Sequence, residues 1–234
     1  MRSQALESHQ QYFLSSLFGN IHYSGDGRVT AKIPALGLDY KTEEESEPAI
    51  FSKMIQNFQL NMQFMVQGSI VPALNQILMD FRVTRSYLIQ LCELSPIVPK
   101  GREYLLASAL WSGFEHDFRN SIHLLAPQVE HIVRVFLKNN GVHTTTIDKS
   151  GIENENGLST LLKHEQAEEI LGEDLLFELK AVFTESIGAN LRNDVAHGLL
   201  DDQSSGSQVS VYAWWMILRL VIRSLFAPNK SNVE

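Results

Sequence analysis

The apolar residues of this chain recur at steps of three and four positions, and this spacing constrains the fold more than any other feature. The strict alternation of apolar and polar residues that a half-buried strand requires is nearly absent. Of the 234 residues, 44% are apolar, which is enough for a substantial hydrophobic core. The sequence therefore predicts an all-α fold, arranged as an antiparallel helical bundle.

One short segment departs from this helical pattern. A turn sequence at Gly25-Asp26-Gly27 is flanked by stretches that contain Tyr, Val, Thr and Ile, so we expect a small β-hairpin at about residues 20–33. Two prolines and a glycine in SPIVPKG (95–101) mark the best internal boundary. We therefore predict an N-terminal helical region over 1–95 that carries the hairpin, a helical bundle over 96–227 and a disordered tail over 228–234.

Within these regions the sequence predicts individual helices and breaks. A helix is expected at 3–18, and residues 102–139 are predicted to form one long helix or two stacked ones, with Pro127 as the kink or break. A polar loop is expected at 144–157. After an interruption at Gly188, a new helix is predicted from about 190 to 199.

The segment Val209–Phe226 is apolar enough to raise the question of a membrane helix. It carries Arg219 and Arg223, and each arginine costs ~2.5–3.5 kcal/mol at the centre of a bilayer. We therefore predict a buried bundle helix and no membrane association. The two arginines should emerge at a surface, where they could contact phosphates of RNA or pair with carboxylates such as Asp201 and Asp202.

Charge and cysteine content exclude several classes of protein. With 27 acidic and 19 basic residues the net charge is −8, which argues against attraction of nucleic acid over the whole surface but leaves room for a small basic cleft. The single cysteine, Cys92, excludes a disulfide scaffold and favours a reducing compartment, so a cytoplasmic location is expected. The sequence contains no glycine-rich phosphate loop and no zinc-binding pattern, so no cofactor and no metal is predicted. The first residues lack the charged start and apolar core typical of a signal peptide, so none is expected.

The most informative segment is GANLRNDVAHGLLDD, residues 188–202. On a helical wheel, Asn190, Asn193, Asp194 and His197 fall within an arc of about 100°, while apolar residues form a core stripe on the other side. Asn193 and His197 are four positions apart, so the amide could fix the orientation of the imidazole. The core stripe consists of Leu191, Val195 and Leu199.

The same segment also has a purely structural interpretation. Asn190 could cap the helix, Arg192 could pair with a carboxylate, and His197 could hydrogen-bond a loop carbonyl. Arg192 also lies about 140° around the helix from His197, which favours a site shared between two subunits over one contained in a single chain. The residues alone leave both interpretations open.

The string RNDVAHG (192–198) resembles the RNxxxHG signature of the DUF4209 family and the broader R-x(4–6)-H motif of the HEPN superfamily. Residues 123–142, of the form HLLxPQxExxxR followed by a glycine, are similar to a second block of the same family. Shorter similarities lie at 95–103 and 18–28. The resemblance covers roughly residues 12–226.

This resemblance implies a HEPN-like bundle that forms a homodimer, in which two motifs face each other across a cleft. It implies a metal-independent endoribonuclease with Arg192, Asn193 and His197 as the site and a 2′,3′-cyclic phosphate as product. A role in RNA decay or defence, and an inhibitory or targeting protein partner, would also fit. Because some HEPN domains are not nucleases, the alternative is a non-catalytic helical module for dimerisation or partner binding.

Two further clusters are weaker candidates. His116, Arg119, Asn120 and His123 are spaced to share one helical face, which is either a solvated polar face or a secondary surface for RNA. Glu130 and Arg134 are an i, i+4 pair in the favourable orientation, with a structural or a site-supporting role.

Overall fold

The computed structural model describes residues 20–23, 29–33 and 43–226. In this part of the chain β1 (Asn20–Tyr23) pairs antiparallel with β2 (Val29–Ile33). The hairpin expected at about 20–33 is therefore confirmed, and so is the all-α class. The predicted helix at 3–18, the turn at Gly25-Asp26-Gly27 and the predicted tail at 228–234 lie outside the described residues.

Helices form most of the described chain. In chain order they are α1 (Glu43–Met65), α2 (Val71–Asp80), α3 (Arg85–Leu94), α4 (Glu103–Phe114), α5 (Phe118–Asn139), α6 (Leu158–Leu162), α7 (Ala167–Leu171), α8 (Glu173–Leu179), α9 (Leu191–Ala196), α10 (Asp202–Ser205) and α11 (Gln208–Leu225). Two π-helical segments interrupt the α-helical pattern: Val66–Ile70 joins α1 to α2, and Lys180–Thr184 follows α8.

A second small hairpin lies where the sequence predicted a polar loop. Strands β3 (Thr145–Ile147) and β4 (Glu153–Glu155) pair antiparallel. In the turn between them, Oδ1 of Asp148 accepts hydrogen bonds from the backbone N–H groups of Ser150 and Ile152. An aspartate that bonds backbone groups shortly after itself favours a turn, and here it closes a hairpin too short for the periodicity of its strands to be recognised.

Residues 102–139 form two helices, as one of the predicted alternatives had it, but the break between them does not lie at Pro127. The chain breaks at residues 115–117 instead, where His116 has a φ of 58° and the side chain of Asp117 caps α5 by accepting the N–H of Asn120. Pro127 lies inside α5 on its exposed side. Its ring removes the N–H that would bond the carbonyl of His123, and water can replace that donor because His123 is exposed as well.

Helix α5 is central to the bundle and packs against α4, α6, α9, α10 and α11. The indole of Trp214, on α11, is buried edge-on against the rings of Phe114 and Phe118. Its Nε1 donates to the backbone carbonyl of Leu110 at 2.9 Å. A Cβ on Gly113 would lie 2.2 Å from this indole, so only glycine lets α4 approach α11 so closely.

The hydrophobic core extends across the predicted domain boundary at 95/96. Phe58, on α1, makes edge-to-face contacts with Phe177 on α8 and with Tyr212 on α11. Residues on both sides of the boundary thus belong to one buried cluster. The division into domains itself stays a prediction.

Helix α11 matches the expected buried helix. Nine of its residues, from Ser210 to Val221, are buried within the bundle. Across residues 20–23, 29–33 and 43–226, no helix combines the length and the apolar character needed to cross a bilayer.

Candidate active site around Arg192 and His197

Glu130, on α5, is the centre of a hydrogen-bond network that reaches Arg192. Its Oε1 accepts from Nη2 of Arg134 at 2.7 Å. Its Oε2 accepts from Nε of Arg192 at 2.5 Å and from the backbone N–H of Leu158 at 3.0 Å. One carboxylate therefore ties α5 to the start of α6 and to α9.

Arg134 extends this network to the second hairpin. Its Nη2 also donates to the backbone carbonyl of Asn156 at 2.8 Å. Its Nε lies 3.0 Å from Oε2 of Glu155, near enough for an ion pair but not directed for a hydrogen bond. The predicted pair of Glu130 and Arg134 is confirmed, and the same carboxylate has a second arginine partner that helical spacing could not predict.

The protonation of Glu130 follows from these contacts. Burial alone would raise the pKa of this carboxyl, but the hydrogen bonds from Arg134, Arg192 and the backbone of Leu158 outweigh burial and hold the pKa below its usual value. Glu130 is therefore ionised at neutral pH and fixes both guanidinium groups. Two arginines face two glutamates in this cluster, so it is formally neutral.

The loop before α9 places Arg192 within reach of Glu130. The backbone N–H of Ala189 donates to the carbonyl of Ala181 in the second π-helical segment, at 2.9 Å. A Cβ on Gly188 would lie 2.2 Å from that same carbonyl oxygen, so a larger residue cannot make this approach. Asn190 then adopts a left-handed conformation, with a φ of 51°, which asparagine tolerates better than most residues.

Asn190 stands at the start of α9, as the structural interpretation expected, but it does not cap the helix with its side chain. Its Nδ2 donates to Oδ1 of Asp194 at 3.0 Å, and its Oδ1 accepts from Nδ2 of Asn193 at 2.7 Å. Asn193 in turn accepts from Nη1 of Arg192 at 3.1 Å. The asparagines therefore orient the arginine.

The predicted contact between Asn193 and His197 is wrong. Helix α9 ends at Ala196, so His197 occupies the C-cap position with a φ of −96°, and Gly198 follows with a φ of 65°. The expected helix to about 199 is thus three residues too long. Leu199, predicted to complete the core stripe, is 49% exposed.

His197 differs from its neighbours in having no side-chain partner within the described part of the chain. Its backbone N–H bonds the carbonyl of Asn193, while its imidazole is exposed. The side chain of Arg192 is 25% exposed. Its Nε and Nη1 donate to Glu130 and Asn193, while its Nη2 donates a hydrogen bond to no described group. The segment thus offers an uncommitted imidazole and an oriented, partly accessible guanidinium.

The secondary candidates on α5 contact a different part of the bundle. Nε of Arg119 donates to the backbone carbonyl of Asp202 at 2.8 Å, and Nε2 of His123 lies 3.3 Å from Oγ of Ser205. Both side chains therefore hold α10. His116 precedes α5 and does not share their helical face, so that part of the expectation is wrong.

The two arginines of α11 have different surroundings. Nη2 of Arg219 donates to Oε2 of Glu178 at 2.5 Å, and Oε1 of the same carboxylate accepts the hydroxyl of Tyr212. The expectation of a carboxylate partner is confirmed for Arg219, although the partner is neither Asp201 nor Asp202. Arg223 is exposed, and no described carboxylate pairs with it.

Comparison with known proteins gives no independent guide to the site: no family model, curated protein or solved structure matches the chain. Within residues 20–23, 29–33 and 43–226, no three His, Cys, Asp or Glu side chains are grouped to hold a metal ion. The function is therefore inferred from the geometry and chemistry of Arg192, Asn193 and His197.

Proposed function

We propose that this chain is a metal-independent endoribonuclease whose site is completed by a second copy of the chain. The observation that supports the proposal is the exposed and unpartnered imidazole of His197, five residues from the guanidinium that Glu130 and Asn193 orient. The structural interpretation expected the imidazole of His197 to hydrogen-bond a loop carbonyl, and no described carbonyl accepts such a bond.

The chemistry follows from what each group can do. A neutral imidazole takes the proton of the ribose 2′-hydroxyl, and the 2′-oxygen attacks phosphorus. The bond between phosphorus and the 5′-oxygen breaks, and a protonated imidazole donates its proton to that oxygen, which leaves a 2′,3′-cyclic phosphate. The remaining donors of Arg192 bind the non-bridging oxygens, on which negative charge grows.

Two copies are proposed because the reaction needs a base and an acid at the same time, while each motif supplies one imidazole. A homodimer with facing motifs would supply both. Because the Glu130 cluster is formally neutral, recognition of the phosphate depends on directed hydrogen bonds rather than on a broad positive surface. This agrees with a net charge of −8.

The resemblance to the DUF4209 family and the HEPN superfamily supports the same proposal, since it rests on Arg192, Asn193 and His197. With it come a cytoplasmic location, a role in RNA decay or defence, and control by an inhibitory or targeting partner. Each of these is part of the proposal.

The decisive experiment incubates the purified full chain with mixed-sequence RNA in EDTA and analyses the ends of the products. We expect cleavage without added metal, 2′,3′-cyclic phosphate ends and loss of cleavage in H197A, with the helical circular-dichroism signal retained. Cleavage that requires a divalent ion, or that persists in H197A, would contradict the proposal.

One observation favours the alternative, a non-catalytic module for dimerisation or partner binding. Within one chain Arg192 already ties α9 to α5 through Glu130, so a structural role accounts for its main contact. If this alternative holds, the wild-type chain forms a dimer or binds a partner but does not cleave RNA. R192K and H197A would then also show no RNA cleavage.

A further inference from the structure

A large cavity lies on the side of the bundle formed by the C-terminal half of α5, by α7 and α8, and by the end of α11. Its volume is about 980 Å³, at the upper end of the range typical of small-molecule sites. Pro96 and Ile97, from the turn between α3 and α4, close one side.

The floor of the cavity is apolar and buried. It consists of Val129, Val133, Leu179 and Ile217. Half-buried side chains such as Ile132 and Leu175 form the walls. An apolar surface of this kind favours a hydrocarbon occupant, because its transfer from water stabilises the complex in proportion to the area that is buried.

Among residues 43–226, Arg223 is the only charged residue that lines the cavity. It is exposed, and within the described part of the chain it makes no ion pair and no side-chain hydrogen bond. One turn earlier on the same helix, Arg219 is paired with Glu178 at 2.5 Å. The cavity therefore combines an apolar interior with an exposed guanidinium at its rim that pairs with no described carboxylate.

A second copy of the chain does not complement this arrangement. In a twofold interface the same surface meets itself, and the described residues that line this surface include no acidic one. Arg223 would then face apolar groups or the partner's Arg223, so the positive charge would remain unpaired. The occupant must bring its own negative charge.

We propose that this cavity binds a long-chain alkyl carboxylate as a single molecule. The hydrocarbon chain lies on the floor between α5, α8 and α11, and the carboxylate pairs with the guanidinium of Arg223 at the rim. The site is distinct from the proposed nuclease centre, whose arginine is held by Glu130 on another part of the bundle.

The test is a titration of the full chain, by calorimetry, with a series of straight-chain carboxylates below their micelle-forming concentrations. Each methylene that enters the cavity should lower Kd about fourfold, until the cavity is full and Kd stops changing. A Kd that does not depend on chain length, or no binding at all, would overturn the proposal.

Variants separate the two parts of the interaction. R223Q should weaken carboxylate binding about tenfold and leave binding of the matching primary alcohol unchanged. R82Q removes the same charge from an exposed arginine that does not line the cavity, so it should leave both affinities unchanged. Equal effects of R223Q and R82Q would contradict the assigned role of Arg223.

A third variant, I132W, places a large side chain in the wall and should abolish binding of the longest carboxylates while preserving the circular-dichroism signal. If I132W does not fold, R223Q still tests the proposal because its position is exposed. Vesicles that contain an anionic phospholipid are the competing source of acyl chains. Binding to vesicles without binding to the monomeric carboxylate would overturn the proposal.

Discussion

Two strings in this chain begin with Arg-Asn and end with His, and the fold treats them in opposite ways. In RNSIH (119–123) the arginine and the histidine both bond α10, through the carbonyl of Asp202 and the hydroxyl of Ser205. In RNDVAH (192–197) the arginine is fixed by the carboxylate of Glu130, while the histidine has no side-chain partner in the described structure. Similar strings thus have different roles: in the first both side chains bond α10, and in the second the imidazole is exposed and bonds no described residue.

The largest difference between the strings should appear when each histidine is removed. H197A is expected to lower the rate of RNA cleavage by about 10²–10⁴-fold, the usual contribution of a general acid or base, with little change in stability. H123A should change the rate no more than a few-fold. The rate of product formation from a labelled RNA measures cleavage by both variants. Equal losses of rate in H197A and H123A would contradict a catalytic role that is specific to His197.

The arginines should differ in stability as well as in activity. R192Q is expected to lower cleavage about 100-fold and stability by about 2 kcal/mol, because it leaves part of the charge of Glu130 uncompensated. R119Q removes a bond to a neutral carbonyl and should cost about 0.5–1 kcal/mol. Urea denaturation of both variants checks this order. A larger loss of stability in R119Q would contradict it.

The Glu130 network should also be sensitive to acid. Because the folded state holds the pKa of Glu130 below its ordinary 4.5, its contribution to stability is complete above that pH and is lost as the pH falls through the lower folded value. E130Q should therefore be about 2 kcal/mol less stable than the wild type at neutral pH, and the gap should narrow as the pH drops below 4.5. Denaturation midpoints of the wild type and E130Q at several pH values measure this difference in stability. A difference that does not change with pH would contradict the lowered pKa of Glu130.

The smallest effects concern two glycines that adjoin the two arginines. A Cβ on Gly206 would lie 3.2 Å from Cζ of Arg119, so G206A should cost about 0.5–1 kcal/mol by displacing that guanidinium. A Cβ on Gly157 would lie 3.5 Å from Nη2 of Arg192, an ordinary contact, so G157A should be close to neutral. Thermal melting compares the stability of the two variants. A larger loss of stability in G157A than in G206A would contradict the expected order.

Regular patterns in the sequence predicted much of the fold. Apolar spacing gave the helical class, and the buried helix at 209–226 is confirmed as α11. The end of α4 was missed because Pro127 is the stronger breaker by residue type, whereas the real break depends on the cap formed by Asp117. Exposure of the proline decided the outcome, and a linear sequence does not show exposure.

The site was predictable only in part. The motif identified Arg192 and His197, but the helical wheel extended α9 beyond Ala196 and so paired Asn193 with the wrong neighbour. The contact between Glu130 and Arg192 joins residues 62 positions apart, and only the packing of α9 on α5 brings them together. Long-range contacts of this kind leave no periodic signal.

The π-helical segment Lys180–Thr184 helps to set the direction in which the motif that follows it faces. Its i→i+5 bond, from the N–H of Glu185 to the carbonyl of Lys180, accommodates one residue more than an α-helical turn would. Deleting a single residue there would restore the α-helical ladder and rotate the following chain by about 100°. Arg192 would then face a different neighbour, so its contact with Glu130 depends on the number of residues upstream of the motif as well as on the motif itself.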